Sequence, residues 1–142
     1  MCLVQIRRTV WEVVAIEDRF RNSAWTKVEG ADPADTGAEQ MRAMLEQVVP
    51  DSGPPLRNVR RCRKLNDFIY EFKTFGVRVL WFYDSGEPQM RKRIVCTHAT
   101  NKLPKKKFQQ VLGSATTARE EYLLAKSSGL LAEPRVRKKE EA

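Results

Sequence analysis

The spacing of apolar residues changes period several times along the chain, and each change marks an element. Val10–Ile16 is dense in β-branched residues and carries one tryptophan, which predicts an opening strand. The charged residues Asp18–Arg21 interrupt it. Asn22–Trp25 has the composition of a short helix start, and Glu29–Pro33 reads as a loop. Met41, Leu45 and Val48 then fall at i, i+4 and i+7, so the spacing predicts a helix over 36–49, ended by Pro50 and the Gly53-Pro54-Pro55 run. Beyond a basic stretch the period drops to two. Phe68–Lys73, Val77–Tyr83 and Arg91–Thr97 read as three strands, joined by turns at Thr74–Gly76 and Asp84–Pro88. Phe68, Tyr70 and Phe72 are expected on one face of the first of these. Pro104 suits a first helical position, and Phe108, Val111, Leu112, Ala115, Ala118, Tyr122 and Ala125 continue near helical spacing, predicting one helix, or a helix broken near Gly113 and Thr116-Thr117, from Pro104 to about Lys126 that stops at Ser127–Gly129.

Strand, helix or helices, three-stranded meander and final helix make an α+β protein. The N-terminal strand and helices pack on an antiparallel β-meander, a C-terminal helix follows, and one sheet face can stay open. Residues 1–126 are expected to form one domain, and 127–142 a charged, flexible tail.

The chain has 142 residues, 42% of them hydrophobic, enough for one core of moderate size. No apolar run reaches the roughly 18 residues a bilayer span requires. No signal peptide is read at the N-terminus, and a cytoplasmic setting is expected. Cys2, Cys62 and Cys96 form no CxxC pair, and with a single histidine they suggest neither a disulfide framework nor a metal site, so no cofactor is expected. Charge separates the two parts of the chain. Residues 1–50 hold 6 basic and 8 acidic side chains, a net of −2; residues 51–142 hold 20 and 10, a net of +10. Such a basic half suits a polyanionic partner, although a merely solvated basic surface has the same composition.

Two stretches carry a family likeness. One is Lys64–Lys73 running into Val77–Tyr83, an apolar-x-Glu-aromatic-basic strand followed by an Arg-Val-Leu-aromatic strand. The other is Ile94–Lys107, an apolar strand with a lysine-rich loop before a proline-led helix, closed downstream by Ala118–Tyr122. In order and spacing these resemble the RelE/HigB-like toxins of type II toxin–antitoxin systems, in their phage-derived HigB-type branch. His98 and Ala99 stand where that family has paired lysines, and Leu103 where threonine is usual. The resemblance implies a RelE-like fold, metal-independent endoribonuclease activity on mRNA (in some members on the ribosome), and a cognate antitoxin, often a helix-turn-helix protein. Two other readings stay open: a non-catalytic ParE-like inhibitor of DNA gyrase, and a phage nucleic-acid-binding module.

RNA carries its own nucleophile, the 2′-hydroxyl. Attack on the adjacent phosphorus needs a base, a cation for the phosphoryl oxygens and an acid for the leaving 5′-oxygen. The resemblance makes Arg78 the phosphate clamp, and strand alternation puts it with Leu80 and Phe82, opposite Val77, Val79 and Trp81. The plainer reading is a surface arginine paired with Glu71. Lys73 on the neighbouring strand is a candidate phosphate ligand or base, and Glu71 a base or an orienter of Arg78. His98, the lone histidine, is a candidate proton shuttle; Lys102 flanks the start of the last helix. Arg57, Arg60, Arg63, Lys64, Lys105 and Lys106 are expected to bind RNA phosphates, or to remain solvated. Tyr122 and at least two of Trp81, Phe82 and Tyr83 read as core, and Cys62 and Cys96 as packing residues.

Overall fold

The computed structural model describes residues 1–84 and 92–137. The turn expected over Asp84–Pro88, the first residue of the expected strand Arg91–Thr97 and the end of the expected tail therefore lie wholly or partly outside the described residues.

Seven strands form one mixed sheet in the order β3-β4-β5-β6-β2-β1-β7. They are β1 Cys2–Arg8, β2 Glu12–Glu17, β3 Cys62–Lys64, β4 Tyr70–Thr74, β5 Val77–Tyr83, β6 Arg93–Asn101 and β7 Arg135–Val136. The helices are α1 Ala24–Glu29, α2 Thr36–Ala43, α3 Val49–Ser52 and α4 Lys105–Ser127, with a π-helical segment, Met44–Val48, between α2 and α3. The coarse α+β class expected from sequence holds.

The expected meander is the β4-β5-β6 part of this sheet, antiparallel throughout. Its surroundings differ from expectation. β6 pairs in parallel with β2, so the N-terminal strand extends the sheet instead of merely packing on it. β1, read as no element from sequence, pairs antiparallel with β2. The edge strand β3 lies in the stretch read only as basic. The C-terminal stretch is not all tail either: Arg135–Val136 add a parallel strand beside β1. Arg137 then turns inward, donating to the Gln5 and Ile6 carbonyls with its guanidinium 4.5 Å from the Trp25 ring centroid.

Both sheet faces are covered, which corrects the expectation of an open one. Alternation along β5 sends Val77, Val79 and Trp81 into a core beneath α1, α2 and the π segment, with Phe72, Ile94 and Cys96 from neighbouring strands. It sends Leu80 and Phe82 to the other side, where Val95, Ala115 and Tyr122 join them beneath α4. Burying an aromatic or large aliphatic side chain contributes about 1.5–3 kcal/mol, so two apolar faces favour a helix over each. Tyr70 and Phe72 stack on Trp81 at 4.7 Å. Phe68, expected beside them, lies before β4, half exposed, under the Arg119 guanidinium at 3.8 Å.

Pro50 does not end the second helical region. The chain continues helically to Ser52, where Gly53 (φ 77°) caps it. Proline lacks an N–H and its ring collides with the carbonyl four residues earlier in an α-helix. The preceding turn is widened, with the Val49 N–H donating to the Met44 carbonyl five residues back, and this makes room for the ring.

Candidate functional site

A groove of about 460 Å³ runs between the β3-β4-β5 end of the sheet and the first turns of α4. Its charged walls are Arg63 and Lys64 from β3, Arg78 from β5, Lys102 and Lys105 around the start of α4, and one carboxylate, Glu71 from β4. Leu65, Leu103, Phe108 and Leu112 supply an apolar side, with Gln109 beside them. Five cations therefore meet one carboxylate.

Local folding explains why they converge. Glu71 is the register partner of both Arg63 on β3 and Leu80 on β5, so Arg63, Glu71 and Leu80 share the face that α4 covers. Arg78 lies two residues before Leu80 on that face. The β4–β5 turn is tight, with Gly76 at φ 75°, a conformation that favours glycine. The Lys102 N–H donates to the Gly76 carbonyl at 3.0 Å, which ties the entry of α4 to that turn. Pro104 is the cap residue of α4, with no side-chain hydrogen bond to the first turn. The positive end of the helix dipole therefore adds to the lysines at this end of the groove.

Arg78 does not pair with Glu71. Its Nη1 donates to the Thr74 and Val77 carbonyls, both at 3.0 Å, which fixes the guanidinium against the β4–β5 turn. A guanidinium has five N–H donors. The Nε and Nη2 side is left to form a two-pronged contact with an anion. Glu71 is instead held by Arg63, whose Nε donates to Oε1 at 2.6 Å. Glu71 is fully buried, and its Oε2 has no hydrogen-bond partner among the described residues. A buried carboxylate oxygen left unpaired is costly, and such atoms call for an explanation.

The other sequence candidates divide in two. Lys73 and His98 share the α4-covered face: Lys73 is the register partner of Arg78, and His98 of Leu80. Neither lines the groove. His98 lies within β6, which runs on to Asn101, and its Nδ1 is buried without a partner among the described residues. Burial pushes its pKa below the ordinary 6.5, so the ring stays neutral at pH 7. Arg57, Arg60 and Lys106 are exposed and lie outside the groove walls.

Burial also settles the side readings. Trp81 and Phe82 are fully buried and Tyr83 half-buried, so they offer little stacking surface. The Tyr122 hydroxyl accepts a hydrogen bond from Arg93 at 2.9 Å inside the core. Desolvation pushes the Cys62 thiol up to about 11 and the Cys96 thiol to about 12, which keeps both protonated and unreactive. No group of three or more His, Cys, Asp or Glu positioned for a metal occurs among the described residues. None of the described helices is long and apolar enough to cross a membrane.

Phe108, Gln109 and Leu112 are groove residues that the strand-based sequence reading missed. With Lys105 they fall at i, i+3, i+4 and i+7, one face of a helix, and that spacing was the available signal. Compared with protein-family models the chain matches none, and comparison with curated proteins gives no match either.

Proposed function

We propose that the chain is a metal-independent endoribonuclease of the RelE/HigB-like toxin type, acting on mRNA and neutralised by a cognate antitoxin. The observation that carries this reading is the gathering of five cations from β3, β5 and the α4 entry around one carboxylate, with half of the Arg78 guanidinium unengaged among the described residues.

In this reading Arg78 grips the scissile phosphate through Nε and Nη2, and Lys105 and the α4 N-terminus neutralise charge on the phosphoryl oxygens. Glu71 is the one proton acceptor in the groove wall. Its unpaired Oε2 is covered in the free chain, and a side-chain rotation on RNA binding brings it to the groove, where it takes the 2′-hydroxyl proton as the 2′-oxygen bonds to phosphorus. The P–O5′ bond breaks, and Lys102 gives its proton to the departing 5′-oxygen. The products are a 2′,3′-cyclic phosphate and a 5′-hydroxyl. Arg63 is a positioning residue that holds Glu71 by Oε1. Lys73 and His98 sit beside this site without touching the phosphate.

The test is to express the intact chain in cells and map new mRNA 5′ ends, with Arg78→Ala as control. Discrete 5′-hydroxyl ends that vanish in the variant are expected. Growth arrest with a DNA-damage response and no new RNA ends would replace this reading with the gyrase-inhibitor one.

A further inference from the structure

We infer that the chain binds a small free α-amino acid in a second cavity, at the end of α4 remote from the groove; the inference does not depend on the ribonuclease reading. The cavity, of about 140 Å³, lies between the sheet and the segment that follows α4. Asp84, Arg93 and Lys126 line it with Leu131, Ala132 and Glu133. Lys105 belongs to the groove and Lys126 to the cavity, so the length of α4, at roughly 1.5 Å per residue, sets the two about 30 Å apart.

Strand register explains why two charged side chains meet there. The Asp84 N–H donates to the Arg93 carbonyl at 3.0 Å, so the two residues oppose each other at the end of the β5–β6 ladder. Asp84 follows Phe82 by two residues, on the face beneath α4. Both residues are 2% exposed. Arg93 donates from Nε to Glu12 and from Nη1 to the Tyr122 hydroxyl, and Asp84 accepts from Lys126 at Oδ1. Each is left with one buried polar atom without a partner among the described residues: Arg93 Nη2, which only donates, and Asp84 Oδ2, which only accepts. A lone anion in the cavity would leave Oδ2 unmet, and a lone cation would leave Nη2 unmet. An ammonium and a carboxylate on one carbon answer both, each through the stronger, charge-assisted kind of hydrogen bond. Arg93 and Lys126 stand in the wall against Asp84 and Glu133, two charges of each sign, which suits a zwitterion with no net charge. At roughly 30 Å³ per water the cavity has room for about four or five waters, so it takes an amino acid with a short side chain and excludes one as large as tryptophan. Leu131, half-buried, gives that side chain an apolar neighbour.

The experiment is isothermal titration calorimetry on the intact chain at pH 7, with glycine, alanine and serine as probes and acetate, methylamine and tryptophan as controls. One-to-one binding of the three small amino acids is expected. Acetate and methylamine each meet a single anchor and should bind about ten- to 150-fold more weakly, the worth of one charge-assisted hydrogen bond. Tryptophan should not bind. Ala132→Trp, which fills the cavity from an exposed position beyond α4, should abolish binding while its melting temperature without ligand matches the parent. The comparisons among ligands use the wild-type chain and stand whatever that variant does to the fold. Absence of saturable binding by any of the small amino acids would leave the cavity to water and overturn the inference. Acetate or methylamine binding as tightly as glycine would overturn it too, as would an Ala132→Trp chain that melts like the parent and keeps its affinity.

Discussion

The two ends of α4 are both crowded with charge, and they handle it in opposite ways. At the C-terminal end the cations are matched in charge, with Arg93 Nη2 and Asp84 Oδ2 left without a hydrogen-bond partner among the described residues. Arg93 donates to Glu12 at 2.6 Å and to the Tyr122 hydroxyl, and Lys126 donates to Asp84 at 2.6 Å; all five side chains are buried or nearly so. On the far edge strand Arg135 grips Glu17 with two bonds, at 2.9 and 3.1 Å. At the N-terminal end five cations share Glu71, and only Arg63 pairs with it. Bringing like charges together destabilises the folded chain, and pairing relieves this. One end has relieved it internally and joins α4 to β2, β5 and β6. The other leaves its cations available, which is how a protein accommodates an anion from outside.

The largest expected effect breaks the open end. Arg78→Ala should lower RNA cleavage by about 10²–10³-fold, the usual cost of losing one transition-state donor. Its thermal midpoint should move by only about 5 °C, because the two lost contacts are to partly exposed turn carbonyls. Cleavage assays and melting curves on the same preparation separate the two effects. The closed end should behave inversely. Arg93→Met removes the buried ion pair with Glu12 and the bond to the Tyr122 hydroxyl, and should cost about 3–5 kcal/mol of stability in denaturant titrations. Adding Glu12→Leu, which replaces the other half of the buried ion pair by an apolar side chain, should restore much of it. If Arg93→Met melts like the parent, the matched end is not what holds α4 to the sheet.

Between these poles, what could be read from sequence follows the range of the interactions. Alternation along 77–83 placed Arg78 with Leu80 and Phe82 because strand geometry is local, and the helix over 105–127 was visible in its own spacing. The basic stretch 57–64 hid β3, since Cys62–Lys64 gains strand geometry only by pairing with β4. The β2–β6 pairing joins segments some 80 residues apart, and the β1–β7 pairing some 130. No local pattern encodes either. Pro50 was read as a stop by its intrinsic chemistry, and tertiary packing overrode it through the π turn. For the site, the family resemblance together with residue types marked Glu71, Arg78 and Lys102 as candidates, but that Arg63 and not Arg78 would engage Glu71 depends on cross-strand register. Lys73 and His98 share the right face and still do not line the groove, a distinction that strand alternation alone does not make.

Smaller perturbations sharpen the contrast by titrating the open end. Each phosphate contact with single-stranded RNA releases counterions, and the logarithm of affinity falls with that of salt concentration by about 0.7 per contact. Lys102→Ala and Lys105→Ala should each reduce that slope by about 0.7, and the double variant by about 1.4. Lys106→Ala, one residue along but outside the walls, should leave it nearly unchanged. Binding titrations of an inactive Glu71→Gln chain across a salt series measure all four. Equal slope changes at Lys105 and Lys106 would mean that the whole basic surface, rather than the groove, holds RNA.

The smallest effect concerns His98, which lies on the same face yet outside the groove. Burial lowers its folded pKa below the 6.5 expected of an unfolded chain, so between those values the unfolded state binds more protons. Stability then rises with pH through this window and falls as pH is lowered below about 6.5. As His98 is the only histidine, little else among the side chains changes charge between pH 7 and 5.5. Melting temperatures of the parent should decline over that range, and His98→Gln should flatten the decline while leaving RNA cleavage at pH 7 within about twofold. A parent curve that stays flat would show that the imidazole is not buried as a neutral ring. A flat variant curve with cleavage lost would return His98 to the chemistry, as the proton carrier its sequence position first suggested.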